Sequence, residues 1–413
     1  MNQLINTKYL FSKFNYFLIT ILPVTILIGS LISNITITLI GIFFIIDLLQ
    51  RKDNFLIKDY NFYFLILIYL YLLLNSYFIS EHQDSLIKAI GFVRFILLAY
   101  AIYFYFKIFK NSFLKIWAII FLIVSLDVLF ELLVGKNILG FSSDYDGRIA
   151  SFTGDELKIG GFYFGFLFIC LAFFVNKKKL FISLSIIFLI IALFIGERSN
   201  FIKILIMYSL FLIFFIDVSF IKKILILLSI FIFSYIIALN NPFLKGRYNF
   251  IKFFSLDIKT ENVEGPKIVL PESISNNRHF QHYKIALTIF EKNIYLGKGF
   301  KSFRIESYNQ ENFDENMEFS IGLGATHPHQ LHFELLSELG IIGYLLIISN
   351  LLYLIFRQIN VDKSFLQKSS ILFLIASLVP MLPSGSFFTS FSATIFFINY
   401  SFLIKKNIID RKY

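Results

Sequence analysis

Three histidines and two glutamates fall within residues 327–338, in the run Ala325-Thr326-His327-Pro328-His329-Gln330-Leu331-His332-Phe333-Glu334-Leu335-Leu336-Ser337-Glu338. An imidazole titrates near neutrality and is easily moved by a helix end or a charged neighbour, which suits a general base. Pro328 fits at a helix start but not inside one. A helix is therefore expected to run from there into the apolar stretch that follows. That would put His329 near its N-terminus on the face of Phe333, with Glu334 and Glu338 four apart on a shared face. Residue types alone leave three readings open. In the first, His329 acts as a base, with His327, Gln330, His332, Glu334 and Glu338 around it. In the second, His327, His329 and His332 hold a metal, although Pro328 points neighbouring side chains apart and no thiolate is at hand. In the third, these groups are polar caps at a membrane boundary, where ionisable side chains are costly. The first reading is preferred, and no metal or cofactor is expected.

Arginines supply the complementary charge. Arg198, in Gly196-Glu197-Arg198-Ser199-Asn200, stands at the edge of an apolar run with almost no polar loop around it. It could pair with Glu197, anchor a headgroup, or offer a guanidinium fork to a phosphate. Arg278 opens an amphipathic stretch, Asn277-Arg278-His279-Phe280-Gln281-His282-Tyr283, in which a helix is expected from Phe280 to Asn293. Arg94 lies inside an apolar run, so it must be paired or face a cavity; Asp127 and Glu131 are its expected partners. Asp144-Tyr145-Asp146 has an Asp-X-Asp form that can hold a metal–diphosphate, but three residues are a weak match and a turn is the simpler reading.

The elements that must position these groups are membrane helices. The chain has 413 residues, 57% of them hydrophobic, and a mean hydropathy of +0.74. No soluble domain has such a composition. The formal charge is +11. In a membrane chain that excess belongs to cytoplasmic loops rather than to nucleic-acid binding. The lone Cys170 excludes an intramolecular disulfide and a cysteine metal cluster. Apolar runs long enough to cross a bilayer recur throughout. Twelve spans are expected, at 14–32, 35–49, 62–79, 87–109, 113–133, 161–175, 180–195, 201–217, 221–239, 341–356, 365–382 and 386–404. Lys and Arg concentrate in alternate connections, among them Arg51 and Lys52, Lys177 to Lys179, Lys222 and Lys223, Arg357, Lys363 and Lys368. The positive-inside rule then puts both termini in the cytoplasm. Residues 1–239 form nine spans, with an outer loop at 134–160. Residues 240–340 form a large outer loop, with an acidic stretch of Glu306, Glu311, Asp314, Glu315 and Glu318. Residues 341–413 form three spans and a tail.

Taken together, this all-α polytopic pattern resembles the O-antigen ligase and O-antigen polymerase superfamily of bacterial inner membranes. The resemblance rests on about twelve spans, a large outer loop before the last three, and His-Pro-His-Gln-X-X-X-X-Glu-X-X-X-Glu-X-Gly-Ile-Ile-Gly at the end of that loop. That family normally has Asn where Gln330 stands. Gly196-Glu197-Arg198-Ser199, the Arg278 helix followed by Gly297-Lys298-Gly299-Phe300, and Leu382-Pro383-Ser384-Gly385-Ser386-Phe387-Phe388 match in order. The resemblance implies inverting, metal-independent glycan transfer on the periplasmic face. Its implied donor is a glycan on undecaprenyl diphosphate, and its implied acceptor is lipid A–core or a further glycan. His329 would be the catalytic base, and Arg198 and Arg278 would bind the diphosphate. A ligase is preferred, with a polymerase on the same carrier as the alternative. A flippase of lipid-linked glycans, from another class, would line a central path with charges from many spans, whereas this chain gathers them at one face.

Overall fold

The computed structural model describes residues 2–109, 112–248, 277–313, 324–358 and 364–404. Among these the regular structure is helical, with no strand. In hydrocarbon a chain must satisfy its own backbone groups, and helices do so within each segment. Helices α1 (Asn2–Ile28) and α2 (Ser30–Arg51) form a hairpin, with Gly29 alone between them. The first expected span, 14–32, runs past this break. Then come α3 (Tyr60–Phe78), α4 (Ser85–Ile108) and α5 (Ser112–Val134). A short 3₁₀ turn at Ser151–Glu156 leads into α6 (Ile159–Phe174), α7 (Lys178–Phe194), α8 (Arg198–Phe215) and α9 (Phe220–Asn240).

Apart from single turns at Phe303–Glu306 and Gln310–Asn312, the remaining helices are α10 (Pro242–Tyr248), α11 (Arg278–Lys292), α12 (Leu331–Arg357), α13 (Phe365–Ser377) and α14 (Ser390–Ser401). The protein is thus an all-α polytopic membrane protein. Among the described residues eight helices are long and apolar enough to cross a bilayer: α1 to α5, α8, α9 and α12. The other four expected spans coincide with the shorter helices α6, α7, α13 and α14. Expected spans 365–382 and 386–404 are trimmed, because the chain leaves helical form between Ser377 and Ser390.

The connections α3–α4, α5–α6, α7–α8 and α13–α14 gather at one end of the bundle with residues 277–313 and 324–330. Ser80 and Ser85 both donate to the Phe300 carbonyl, Ile149 N donates to Ile195 O, and Ser384 N donates to His329 O. The opposite end is tied by buried polar groups. Tyr105 and Ser12 donate to Asp47, which also pairs with Arg51 at 2.8 Å. Arg94 does not meet Asp127 or Glu131. Its guanidinium donates to Gly91 O and Asn34 Oδ1, while Asp127 and Glu131 accept from Ser151 and the backbone of Ala150 and Ser151. Those carboxylates cap a turn on their own side of the bundle, and this takes them from the arginine. Asp314, Glu315 and Glu318 of the acidic stretch, with Lys110, Lys363 and the tail lysines, lie outside the described residues.

Candidate functional site

The site is built on the turn before α12. Helix α12 starts at Leu331, three residues later than Pro328 suggests. Its N-cap is Gln330, whose Oε1 accepts from Phe333 N at 3.1 Å. The amide is thereby engaged in capping one of the helix's unsatisfied N–H groups. His329 is consequently not on the helix. It holds a left-handed backbone, φ 58, between Pro328 and an extended Gln330. Such a conformation costs a non-glycine residue about 1–3 kcal/mol and persists only where the surroundings impose it. Here the imposing contact is Ser384 N, which donates to the His329 carbonyl at 2.7 Å.

Helix α11 supplies the second wall. Asn277 caps it by accepting from His279 N at 2.9 Å, so the helix begins at Arg278 rather than Phe280. It buries His282, Tyr283, Ile285, Ala286 and Ile289 and packs on α12, with Tyr283 stacked on Phe333 at 4.7 Å. His279 and His282 are three residues apart and share the face turned to the turn. Four imidazoles therefore meet. His329 lies 5.0 Å from His279, 5.5 Å from His282 and 4.1 Å from His327, ring centre to ring centre. Burial, and then the neighbouring imidazoles, pushes His329 down to about 3 and His282 to about 4. Burial and then Arg198 lower His279, and burial is also the main cause for His327. All four are thus shifted toward the neutral form. Among the described residues no group of three or more His, Cys, Asp or Glu side chains has metal-site geometry.

Arg198 and Arg278 are exposed at the N-termini of α8 and α11. Arg198 acts on His279, and Arg278 acts on His282. The pairing of Arg198 with Glu197 is not seen. Glu197 is taken by Arg148 at 2.9 Å and by Asn200. Arg247 joins this cationic group: burial, then Arg148 and Arg198, lower its guanidinium. His332 faces elsewhere. Its Nε2 donates to Leu378 O at 2.8 Å, which leaves Nδ1 to accept from Tyr344 in the neutral ring. It ties α12 to the end of α13. Glu334 and Glu338 are both buried on α12. Glu334 accepts from Ser386 Oγ and from Phe387 N, and lies 3.7 Å from Lys301 Nζ. Glu338 accepts from Lys301 N at 2.9 Å. Both carboxylates fasten loops beneath the histidines. Asp144 and Asp146 are exposed in a turn.

One backbone device fixes the height of α12. Gly340 interrupts it at φ 64 and ψ −172, and there Ile341 N donates to Ile294 O. The turn Gly297-Lys298-Gly299 closes against the break, with Lys298 N and Gly299 N donating to Ser337 O and Glu338 O. A Cβ on Gly340 would fall on the Tyr295 carbonyl.

Beside His329 and His327 opens a cavity of about 430 Å³. Its polar side includes Arg148, Lys158, Lys203 and Ser384, and its apolar side includes Phe164, Phe373, Phe387 and Phe396. Arg148, Lys203, His279 and His282 were not singled out by sequence reasoning. The two histidines had a signal in their three-residue spacing on an amphipathic stretch. Lys203 had one as a charge inside an apolar run. Arg148 had none, because only the fold brings its loop to α8.

Residues 183–348 match the family described as O-antigen ligase. That segment runs from α7 into α12 and holds Arg198, Arg278 and the histidine cluster. No curated protein matches the chain. The chain is thus a multi-pass membrane protein whose residues 183–348 are similar to the O-antigen ligase family.

Proposed function

We propose that the protein is an O-antigen ligase that moves a glycan from undecaprenyl diphosphate to lipid A–core at the periplasmic face of the inner membrane. Both termini are cytoplasmic in this reading. The acceptor hydroxyl attacks the anomeric carbon from the side opposite the diphosphate. The sugar–phosphate bond breaks, its electron pair leaves with the diphosphate, and the configuration inverts. His329 takes the hydroxyl proton, and no metal takes part. Arg198 and Arg278 meet the charge that grows on the leaving group, which preorganised guanidiniums stabilise more in the transition state than in the ground state.

The observation that supports this most is the uncharged imidazole of His329 beside a cavity, with guanidiniums bearing on its two neighbours. A base at about 3 is a weak one. A bound diphosphate adds negative charge beside it and raises it toward the working pH, so base strength arrives with the substrate. The gathering of these groups at one end of the bundle also speaks against a flippase path through many spans.

The test is a purified-protein assay with lipid-linked donor and lipid A–core acceptor. Product with wild type and none with H329A is the expected result, and added chelator should change nothing. Normal transfer by a folded H329A protein would remove the residue from the mechanism. A polymerase differs in acceptor. Its deletion leaves single repeats on lipopolysaccharide, whereas loss of a ligase leaves long glycan on the carrier.

A further inference from the structure

The cavity contains a cation that the chemistry above leaves unused. Lys203 stands on α8, five residues after Arg198, and is only 4% exposed. Its ammonium donates to the Pro383 carbonyl at 3.2 Å and lies 5.7 Å from the centre of the Phe164 ring. Both carboxylates that line the cavity are already engaged: Glu197 by Arg148 at 2.9 Å, and Glu156 by Lys158 at 2.6 Å. Among the described residues Lys203 makes no contacting ion pair, and Glu197, which Arg148 already holds, acts on it only at longer range. A buried ammonium without a contacting counter-ion is costly, and more so in hydrocarbon. A second group on the same wall is also unsatisfied. The Ser384 hydroxyl is buried and has no hydrogen-bond partner among the described residues. Much of the remaining lining is aromatic. Phe164 stacks on Phe373 at 4.6 Å, and Phe387 meets Phe396 edge-on at 4.8 Å.

The cavity therefore offers a buried ammonium and a free hydroxyl beside an aromatic lining that suits a hydrocarbon chain. We propose that Lys203 and Ser384, with the aromatic residues that share their cavity, form a subsite for the diphosphate and first isoprene units of a lipid-linked substrate. This rests on the transferase reading and adds to it a binding residue deeper than the exposed Arg198 and Arg278. The ammonium supplies a fixed counter-charge on the membrane side, Ser384 donates to a phosphate oxygen, and the phenyl rings hold the adjoining isoprenes.

Farnesyl diphosphate is the probe, with farnesol and inorganic pyrophosphate as controls, on the purified full chain. Farnesyl diphosphate should raise the melting temperature of wild type more than either control does. K203M removes a buried charge for an apolar group of similar volume, so the ligand-free protein should melt no lower than wild type. Its affinity for farnesyl diphosphate should fall about 10- to 100-fold while farnesol binding stays unchanged. K203R should retain part of the affinity.

Wild-type affinity in K203M overturns the subsite. So does pyrophosphate binding as tightly as farnesyl diphosphate, which would make the ligand a free diphosphate. Should K203M fail to fold, K203R and S384A decide: unchanged farnesyl diphosphate affinity in both also overturns it. Wild type that binds the probe but transfers no glycan removes the transferase reading and leaves the subsite. Wild type that transfers glycan while K203M shows the same KM and probe affinity removes the subsite alone.

Discussion

The amide of Ser384 donates a 2.7 Å hydrogen bond to the carbonyl oxygen of His329, joining the α13–α14 loop to the turn before α12. The bond holds His329 in its left-handed conformation. Glu334 secures the same loop one step along, through Ser386 and Phe387 N. The loop and the histidine are thus set as one unit, as the proposed base role of His329 requires.

His329 carries two separable demands, on backbone and on ring. Asn tolerates φ near +60 better than most residues, whereas Ala does not. H329N should therefore fold with a melting temperature close to wild type, and H329A should melt lower. Both should lose about 10²- to 10⁴-fold in kcat, the typical worth of a general base. The check is kcat beside a thermal melt for each variant. Retained turnover in H329N would remove the ring from the chemistry.

Acid should weaken the folded state. His329 at about 3 and His282 at about 4 bind fewer protons when folded than at their ordinary 6.5. The unfolded chain therefore takes up more protons below about 6.5, and stability falls as pH drops from there through 4 toward 3. Melting temperature against pH measures this. An H282Q protein should show a shallower slope between 6.5 and 4.

The ion pair of Lys301 and Glu334 is buried on both sides, at 3% and 1% exposure. E334A takes the nearest carboxylate from Lys301 and leaves it only the more distant Glu338, which should cost up to about 3–5 kcal/mol. The double variant E334L with K301M removes both charges and should recover part of that loss. Thermal melts of the two proteins decide. An equal loss in both would mean the charge pair is not what matters.

Arg198 and Arg278 are exposed, so R198A and R278A should alter stability by no more than about 0.5 kcal/mol. Each should still cut kcat/KM. A fall in kcat/KM without a fall in melting temperature is the expected combination, and unchanged kinetics would retire the residue from diphosphate binding.

G340A should be poorly tolerated. Its φ of 64 is unfavourable for Ala, and the added methyl falls on the Tyr295 carbonyl. A loss of more than about 1 kcal/mol is expected, read by denaturation in detergent.

Much of this was legible in the sequence. Apolar runs of bilayer length can only be helices, so the order of elements followed from composition, while the breaks at Gly29 and inside α12 at Gly340 did not. The cluster around His329, the amphipathic helix opened by Arg278, and the helix start at Arg198 were visible as polar groups at apolar edges.

What the chain order could not hold was which polar group meets which. Arg94 found Asn34 rather than Asp127, and Glu197 turned to Arg148 rather than to its neighbour Arg198. His332 left the cluster for Leu378, while His279 and His282 entered it. These pairings join residues up to 60 apart, and they depend on how helices rotate and on the height at which they pack. Sequence period sets the face of one helix; only the packed bundle selects the face that meets it. The membrane fold was therefore determined by local hydrophobicity, and the site by tertiary geometry.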